Sequence, residues 1–304
     1  MNRIIALMLA ALALGFAPAA AAQEIPYWQA VGADLFASTD ADDSETVKVG
    51  VSYDWRYRTP NDHQGVRVET ARFAPATGPA LEEQRLYYRF AAPGDDWSWN
   101  GQVGTNGETV LGSLGVHNND RVRQEYFIER DRLETAQGLD QDLYSTFAGA
   151  AFDLPLDERN TLTALVGVQA FDGDNLRTHL RARAIHVVKP DWGLSVQLRT
   201  RYFHNSVPAE ADYFSPEWYV EVLPVVQVRR FHDGWQYQAA VGLGAQREAG
   251  SDWRAARHFE ASVTSPPISR DWHVKAAVLH SSAPVASGQG YDYSQATLSL
   301  TRAF

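Results

Sequence analysis

The feature that most constrains this chain is the alternation at its C-terminal end. Across 293–304 the even positions are Ser294, Ala296, Leu298, Leu300, Arg302 and Phe304, and the odd ones from Gln295 to Thr301 are all polar. Successive side chains of a strand point to opposite faces, so a period of two gives one mostly apolar face and one polar face. Taken alone, the segment fits either an edge strand of a soluble β-sandwich or a wall strand of a closed barrel.

The same period recurs along the whole chain. Val47, Val49, Val51, Tyr53, Trp55 and Tyr57 alternate with Lys48, Gly50, Ser52, Asp54 and Arg56. Trp192, Leu194, Val196, Leu198 and Tyr202 alternate with Gly193, Ser195, Gln197, Arg199 and Arg201. The spacing predicts about sixteen strands of ~10 residues separated by turn signals. They are centred on 28–37, 46–57, 65–74, 82–91, 96–104, 108–116, 122–133, 142–153, 160–171, 176–188, 192–203, 217–230, 235–247, 253–264, 272–280 and 293–304. Three of them, 65–74, 122–133 and 142–153, alternate less cleanly, which leaves fourteen as the other count. No helical period and no helical repeat appears, and no linker divides the chain.

The front of the chain has a different character. Met1 to Arg3 is positive, Ile4 to Phe16 is apolar, and Ala20-Ala21-Ala22 offers a small-residue cleavage site. Residues 1–22 therefore read as a secretory signal peptide, with 23–304 as one domain. After Ala22 no apolar run approaches the ~20 residues of a membrane-spanning helix. There is no cysteine, so neither disulfides nor cysteine-based zinc sites hold the fold. The net charge of −10 says little about partners, because acids crowd loops such as 40–45 and serve solvation there.

Turns and termini choose the barrel. Four turns end in or near Asp-Trp, at Trp97, Trp192, Trp235 and Trp272, each in phase with the apolar face. With strand one starting in the periplasm, all four fall at the periplasmic end, where indoles would form part of an aromatic girdle. Trp253 falls at the opposite end. Turns on the periplasmic side are short, while the longest connections, 205–216 and 281–291, lie on the outer side. The expected fold is all-β: a transmembrane antiparallel up-and-down barrel of about sixteen strands. The terminal Phe304 resembles the aromatic residue that closes bacterial outer-membrane barrels and is read by their assembly machinery. That resemblance implies the outer membrane of a Gram-negative bacterium, with its lipid and the barrel assembly machinery as partners.

A narrower resemblance rests on Tyr202-Phe-His-Asn-Ser206, Asp212-Tyr-Phe-Ser-Pro-Glu-Trp-Tyr219 and Gly234-Trp-Gln-Tyr237. The segment is similar to the C-terminal barrels of the exopolysaccharide export porins of cellulose and poly-N-acetylglucosamine secretion, with Tyr213, Ser215, Pro216 and Tyr219 matching. It is best over 176–304. The family carries periplasmic helical repeats ahead of the barrel, whereas here only 23–27 separate the cleavage site from the first strand. The resemblance therefore implies a polysaccharide as cargo and a separate periplasmic partner to deliver it.

With the apolar face toward lipid, the inward set includes Arg56, Arg85, Arg89, Arg123, Arg177, Arg181, Arg183, Arg199, Arg201, Arg229, Arg254, Lys48 and Lys275. Its acids include Asp54, Glu69, Glu125, Glu129, Asp131, Glu221 and Glu260. Arg177, Arg181 and Arg183 on one strand, Arg199 and Arg201 on the next, and Arg229 with Glu221 on the third would form a ladder favouring anions. The alternative is an Arg–Glu network that neutralises itself. Inward Tyr87, Phe203 and Tyr219 fit either sugar-stacking surfaces or packing. His204 with Ser206, and His280 with Ser281 and Ser282, stand in no hydrolase motif. His179 and His186 fall on opposite faces and so share no metal. No phosphate loop, carboxylate dyad or nucleic-acid patch emerges, so neither an enzyme nor a cofactor is expected. The expected function is passive export of an exopolysaccharide through a water-filled lumen. The alternatives are a general or anion-preferring diffusion porin, and a plugged structural or adhesion barrel.

Overall fold

The computed structural model describes residues 26–41, 43–266, 272–282 and 292–304. The leader reading at 1–22 lies outside them, as does most of the 281–291 connection. Sixteen strands follow in order: β1 (Trp28–Asp40), β2 (Glu45–Thr59), β3 (Asp62–Ala74), β4 (Leu81–Ala92), β5 (Trp97–Thr105), β6 (Val110–Asn118), β7 (Arg123–Arg132) and β8 (Tyr144–Pro155). The second half comprises β9 (Asn160–Phe171), β10 (Leu176–Lys189), β11 (Leu194–Asn205), β12 (Trp218–His232), β13 (Trp235–Glu248), β14 (Arg254–Thr264), β15 (Trp272–Ser281) and β16 (Tyr293–Ala303). One helical turn, α1 (Ala136–Asp140), lies between β7 and β8, and a 3-10 turn, Pro190–Trp192, precedes β11.

Every strand pairs antiparallel with its sequence neighbours, and β1 closes on β16 from Ala30↔Ala303 to Asp40↔Tyr293. Closure leaves no edge, so every wall strand has a backbone partner on both sides, as a bilayer demands. The three weakly alternating segments are β3, β7 and β8, which settles the count at sixteen.

The distribution of side chains is inside out. Leu243 is 74% exposed and Val51 61%, while Asp54, Arg85 and Glu69 are almost wholly buried. In water this would be unstable; with lipid outside and a polar interior it is the expected arrangement. The start of β1 and the end of β16, the termini of the barrel wall, lie at one end of the barrel, where the described turns are short. The β12–β13 turn is only Asp233 and Gly234, at φ 48° and 78°, a two-residue hairpin with both residues left-handed.

Two expectations need correction. Trp192 does not open a strand: it sits in the 3-10 turn, and Gly193, at φ 62°, intervenes before β11. A Cβ on Gly193 would fall 1.7 Å from the carbonyl oxygen of Arg229, so the backbone approach there requires glycine. Arg56 does not hold the inward position assigned to it. A bulge between Asp54 and Arg56 shifts the β2–β3 register, and Tyr57 takes the packed place beside Ala30 and Ala303. Arg56 is exposed, with its guanidinium 3.9 Å from the ring centre of Tyr27.

Candidate functional site: the charged lumen and its far mouth

Two stretches of lumen wall differ in how they use charge. On β1 to β7 the inward cations are bound by carboxylates. Arg67 bridges Asp34 and Glu69. Arg85, almost fully buried, meets Glu69 at 3.2 Å, Asp131 at 3.0 Å and Glu83. Lys48 reaches Asp131 at 3.2 Å and Glu134 at 2.8 Å. Arg89 lies 3.4 Å from Asp54. Nearer the far mouth Arg132 joins Glu83, Glu108 and Asp142 at 3.1, 3.2 and 2.7 Å. A cavity of about 910 Å³ opens along this wall, lined by Asp34, Arg67, Glu69, Arg89, Asn100 and Gln102 among others.

On β10 to β12 the register sets guanidiniums side by side: Arg181 faces Arg201 and Arg183 faces Arg199. Like charges directly opposite are unfavourable, so each rung needs relief from elsewhere. Arg201 lies 3.8 Å from Glu221 and 3.3 Å from the Tyr219 hydroxyl. Arg199 stretches over β12 and β13 to Glu260 at 3.1 Å and His258 at 3.1 Å. It can do so because Ala240 and Gly242 leave the wall between them low. Arg177 finds no ion pair among the described residues. It donates to Asn205 at 2.8 Å and to the Phe214 carbonyl, and lies over the rings of Phe203 and Phe171. Arg181 and Arg183 are exposed to the lumen, with neither ion pair nor side-chain hydrogen bond among the described residues. Arg229 is likewise exposed, near the end that carries the termini. The expected ladder is thus reduced: three of its guanidiniums are held by the wall and three are open.

The aromatic residues singled out in the sequence are packed. Tyr87 lies against Leu111 and Tyr144. Phe203 stacks on Tyr219 at 5.0 Å, and Phe214 caps both edge-on. None of the three offers an open face. Two half-buried inward rings, Phe127 and Phe147, stand 5.2 Å apart and steeply inclined. Phe127 lies over Gly149 and Phe147 over Gly167, where a Cβ would come within 2.7 and 2.6 Å of the ring. The signal that could have found them is the inward glycine facing an inward glycine, Gly149↔Gly167.

The connection 206–217 folds into the far mouth. Tyr213 stacks flat on Phe171 at 4.2 Å. Its hydroxyl accepts from Asn175 at 2.8 Å and donates to Glu210 at 3.0 Å, and burial pushes its pKa up to about 12. Asp212 accepts from the Gln137 backbone and the Thr135 hydroxyl, Thr135 being also the N-cap of α1. Ser215 bonds Ala209, and the Pro216 carbonyl accepts from Asn205. The Tyr-aromatic-Ser-Pro motif, with Tyr219 below it, is therefore what pins this loop inward.

Trp97, Trp192, Trp235 and Trp272 all stand at the end that carries the termini, and Trp253 at the other. Lys189 covers the Trp192 ring at 3.8 Å and Arg302 the Trp272 ring at 5.7 Å. Such pairs suit a membrane interface, with the ring in the apolar layer and the cation toward headgroups. Phe304 is exposed, and its backbone exchanges hydrogen bonds with Gln29. Among the described residues no cluster of His, Cys, Asp or Glu could hold a metal.

No protein-family model matches the chain, and no curated protein does. Solved structures do. A bacterial polysaccharide outer membrane secretin superposes with a TM-score of 0.69 at 13% identity, over 92% of this chain and all of that one. OccK7 (OpdD) of Pseudomonas aeruginosa matches at TM-score 0.45 and 9% identity, over 91% and 99%. At such identities the likeness is one of fold. The closed sixteen-stranded wall, apolar outside and charged inside, is that of an outer-membrane β-barrel. The chain belongs in the outer membrane of a Gram-negative bacterium.

Proposed function

We propose that this barrel is a passive outer-membrane channel and that its cargo is a polysaccharide on its way to the cell surface. The observation that carries the reading is the charged, hydrogen-bonding lumen wall, with open guanidiniums and half-buried rings on one stretch and a polar cavity of about 910 Å³ along the other. The likeness in fold to a polysaccharide secretin, and the Tyr213, Ser215, Pro216 and Tyr219 pattern, favour the same cargo. The driving force would come from an inner-membrane synthase and not from the barrel itself. The test is conductance of the folded barrel in planar bilayers, followed by addition of polysaccharide on the side of the termini. Unit current steps that the polymer interrupts are expected. A folded barrel that passes no current sinks the channel reading and leaves the plugged barrel, which the inward fold of 206–217 would explain.

A second reading is an anion-preferring diffusion channel, favoured by Arg181 and Arg183 standing open to the lumen with no ion pair in contact among the described residues, Glu129 and Glu221 about the first and Glu260 and Asp153 about the second acting only at a distance. Reversal potential in a salt gradient tests it: a shift toward the chloride equilibrium is expected, and a cation-selective value excludes it. No catalytic role is proposed.

A further inference from the structure

Arg181 and Arg183 do nothing evident for the fold. Each faces another arginine across the β10–β11 ladder, an unfavourable placement, and each is open to the lumen. A position that repels its neighbour and makes neither ion pair nor side-chain hydrogen bond among the described residues, with Glu129, Glu221, Glu260 and Asp153 acting on the pair only at a distance, is better explained by something that enters the lumen.

The aromatic pair lies close by. Phe147 is 4.8 Å from the ring of His179, and Arg181 is the next inward residue along β10 from His179. Gly149 and Gly167 let the Phe127 and Phe147 rings lie down on bare backbone, leaving part of each ring toward the lumen. In the row of Phe147 stand Glu129 and Gln169, on the strands to either side of β8. Glu129 is exposed, and Gln169 is held by Ser145 and His179. The C–H face of a sugar ring stacks on such aromatics, the two acceptors suit its hydroxyls, and a carboxylate matches the planar fork of a guanidinium.

We infer that Phe127, Phe147, Gln169, Arg181 and Arg183 form a binding subsite for an acidic saccharide, a sugar ring bearing a carboxylate. This rests on the reading of the lumen as a saccharide path and adds the charge class of the cargo. Neither half of the site suffices for the other's ligand: a simple anion needs no ring, and a neutral sugar needs no arginine pair.

The test compares a short oligogalacturonate with the neutral maltooligosaccharide of the same length. Two readouts are used, block of single-channel current and calorimetric binding to the detergent-folded barrel. The acidic oligomer should act at concentrations about tenfold lower or better, the scale of one charge-assisted contact. Arg181→Ala with Arg183→Ala should abolish the difference. Phe147→Ala should weaken the acidic oligomer in both readouts. Equal binding of the two oligomers overturns the subsite, as does a Phe147→Ala barrel that binds the acidic one unchanged. A barrel that binds the acidic oligomer but passes no current supports the subsite and removes the channel, so the two failures separate.

Discussion

Arg85 and Arg181 carry the same group on the inward face of the same kind of strand, yet their surroundings are opposite. Around Arg85 stand Glu69, Glu83 and Asp131, and its side chain is sealed from the lumen. Across from Arg181 stands Arg201, and its side chain is open. On the first stretch of wall, guanidiniums act as struts that tie one strand to another. On β10 they are presented rather than used. An inward arginine in a barrel is therefore no sign of transport in itself; what distinguishes the two cases is whether a carboxylate within reach has claimed it.

Removal of a strut is the most forceful way to break this contrast. Arg85→Ala leaves three carboxylates crowded around an empty position, and loss of one partner from a buried ionic cluster costs about 3–5 kcal/mol. The urea midpoint of the folded barrel in detergent should drop sharply, and a midpoint within error of the parent would show that the network is ornamental. The far mouth is held by hydrogen bonds rather than ion pairs at Asn175. Asn175 donates to Tyr213 and Asn205, both bonds buried, and accepts from the Val207 backbone. Asn175→Ala should cost about 1–3 kcal/mol through the groups it orphans. Because those groups anchor 206–217, the variant should also show noisier or larger single-channel current, whereas Arg85→Ala should unfold before its conductance changes.

The presented pair should behave in the reverse way. Arg181→Ala with Arg183→Ala removes no bond, so the midpoint should stay within about 0.5 kcal/mol of the parent, or rise slightly as like-charge repulsion is relieved. Reversal potential in a salt gradient should move away from the anion-selective side. A large loss of stability with unchanged selectivity would make Arg181 a strut like Arg85.

How much of this was legible beforehand follows from the range of each cause. A period of two is local, so all sixteen strands could be placed, and the inward sides of β10 and β11 came with them. The start of β11 escapes the pattern because Pro190–Trp192 continues the apolar phase while turning out of the sheet. Arg56 escapes the pattern because a bulge slips the phase by one and leaves no trace in composition. Pairing across the lumen is beyond reach of any pattern: Lys48 meets Glu134, and Arg199 passes two strands to meet Glu260. Those contacts depend on barrel curvature and on small residues such as Ala240 and Gly242 in between. The Tyr213–Pro216 motif was visible, but its inward direction depends on Phe171, Asn175 and Arg177, which lie on other segments.

The smallest expected effect concerns Glu129, which is exposed on the inward face of β7 and within electrostatic reach of Arg181. It forms no ion pair with Arg181, but its charge partly offsets the field that Arg181 and Arg183 create. Glu129→Gln keeps the shape and removes the charge, so anion preference should increase, in the sense opposite to the double arginine variant and by less. The influence is exerted through water, so its range is the screening length, about 10 Å at 0.1 M salt and about 3 Å at 1 M. The increase should therefore be measurable at the lower concentration and vanish at the higher. If Glu129 were instead a strut, the substitution would lower the unfolding midpoint at both salt concentrations and leave selectivity alone. One variant measured at two ionic strengths thus decides to which kind of wall β7 belongs at this height.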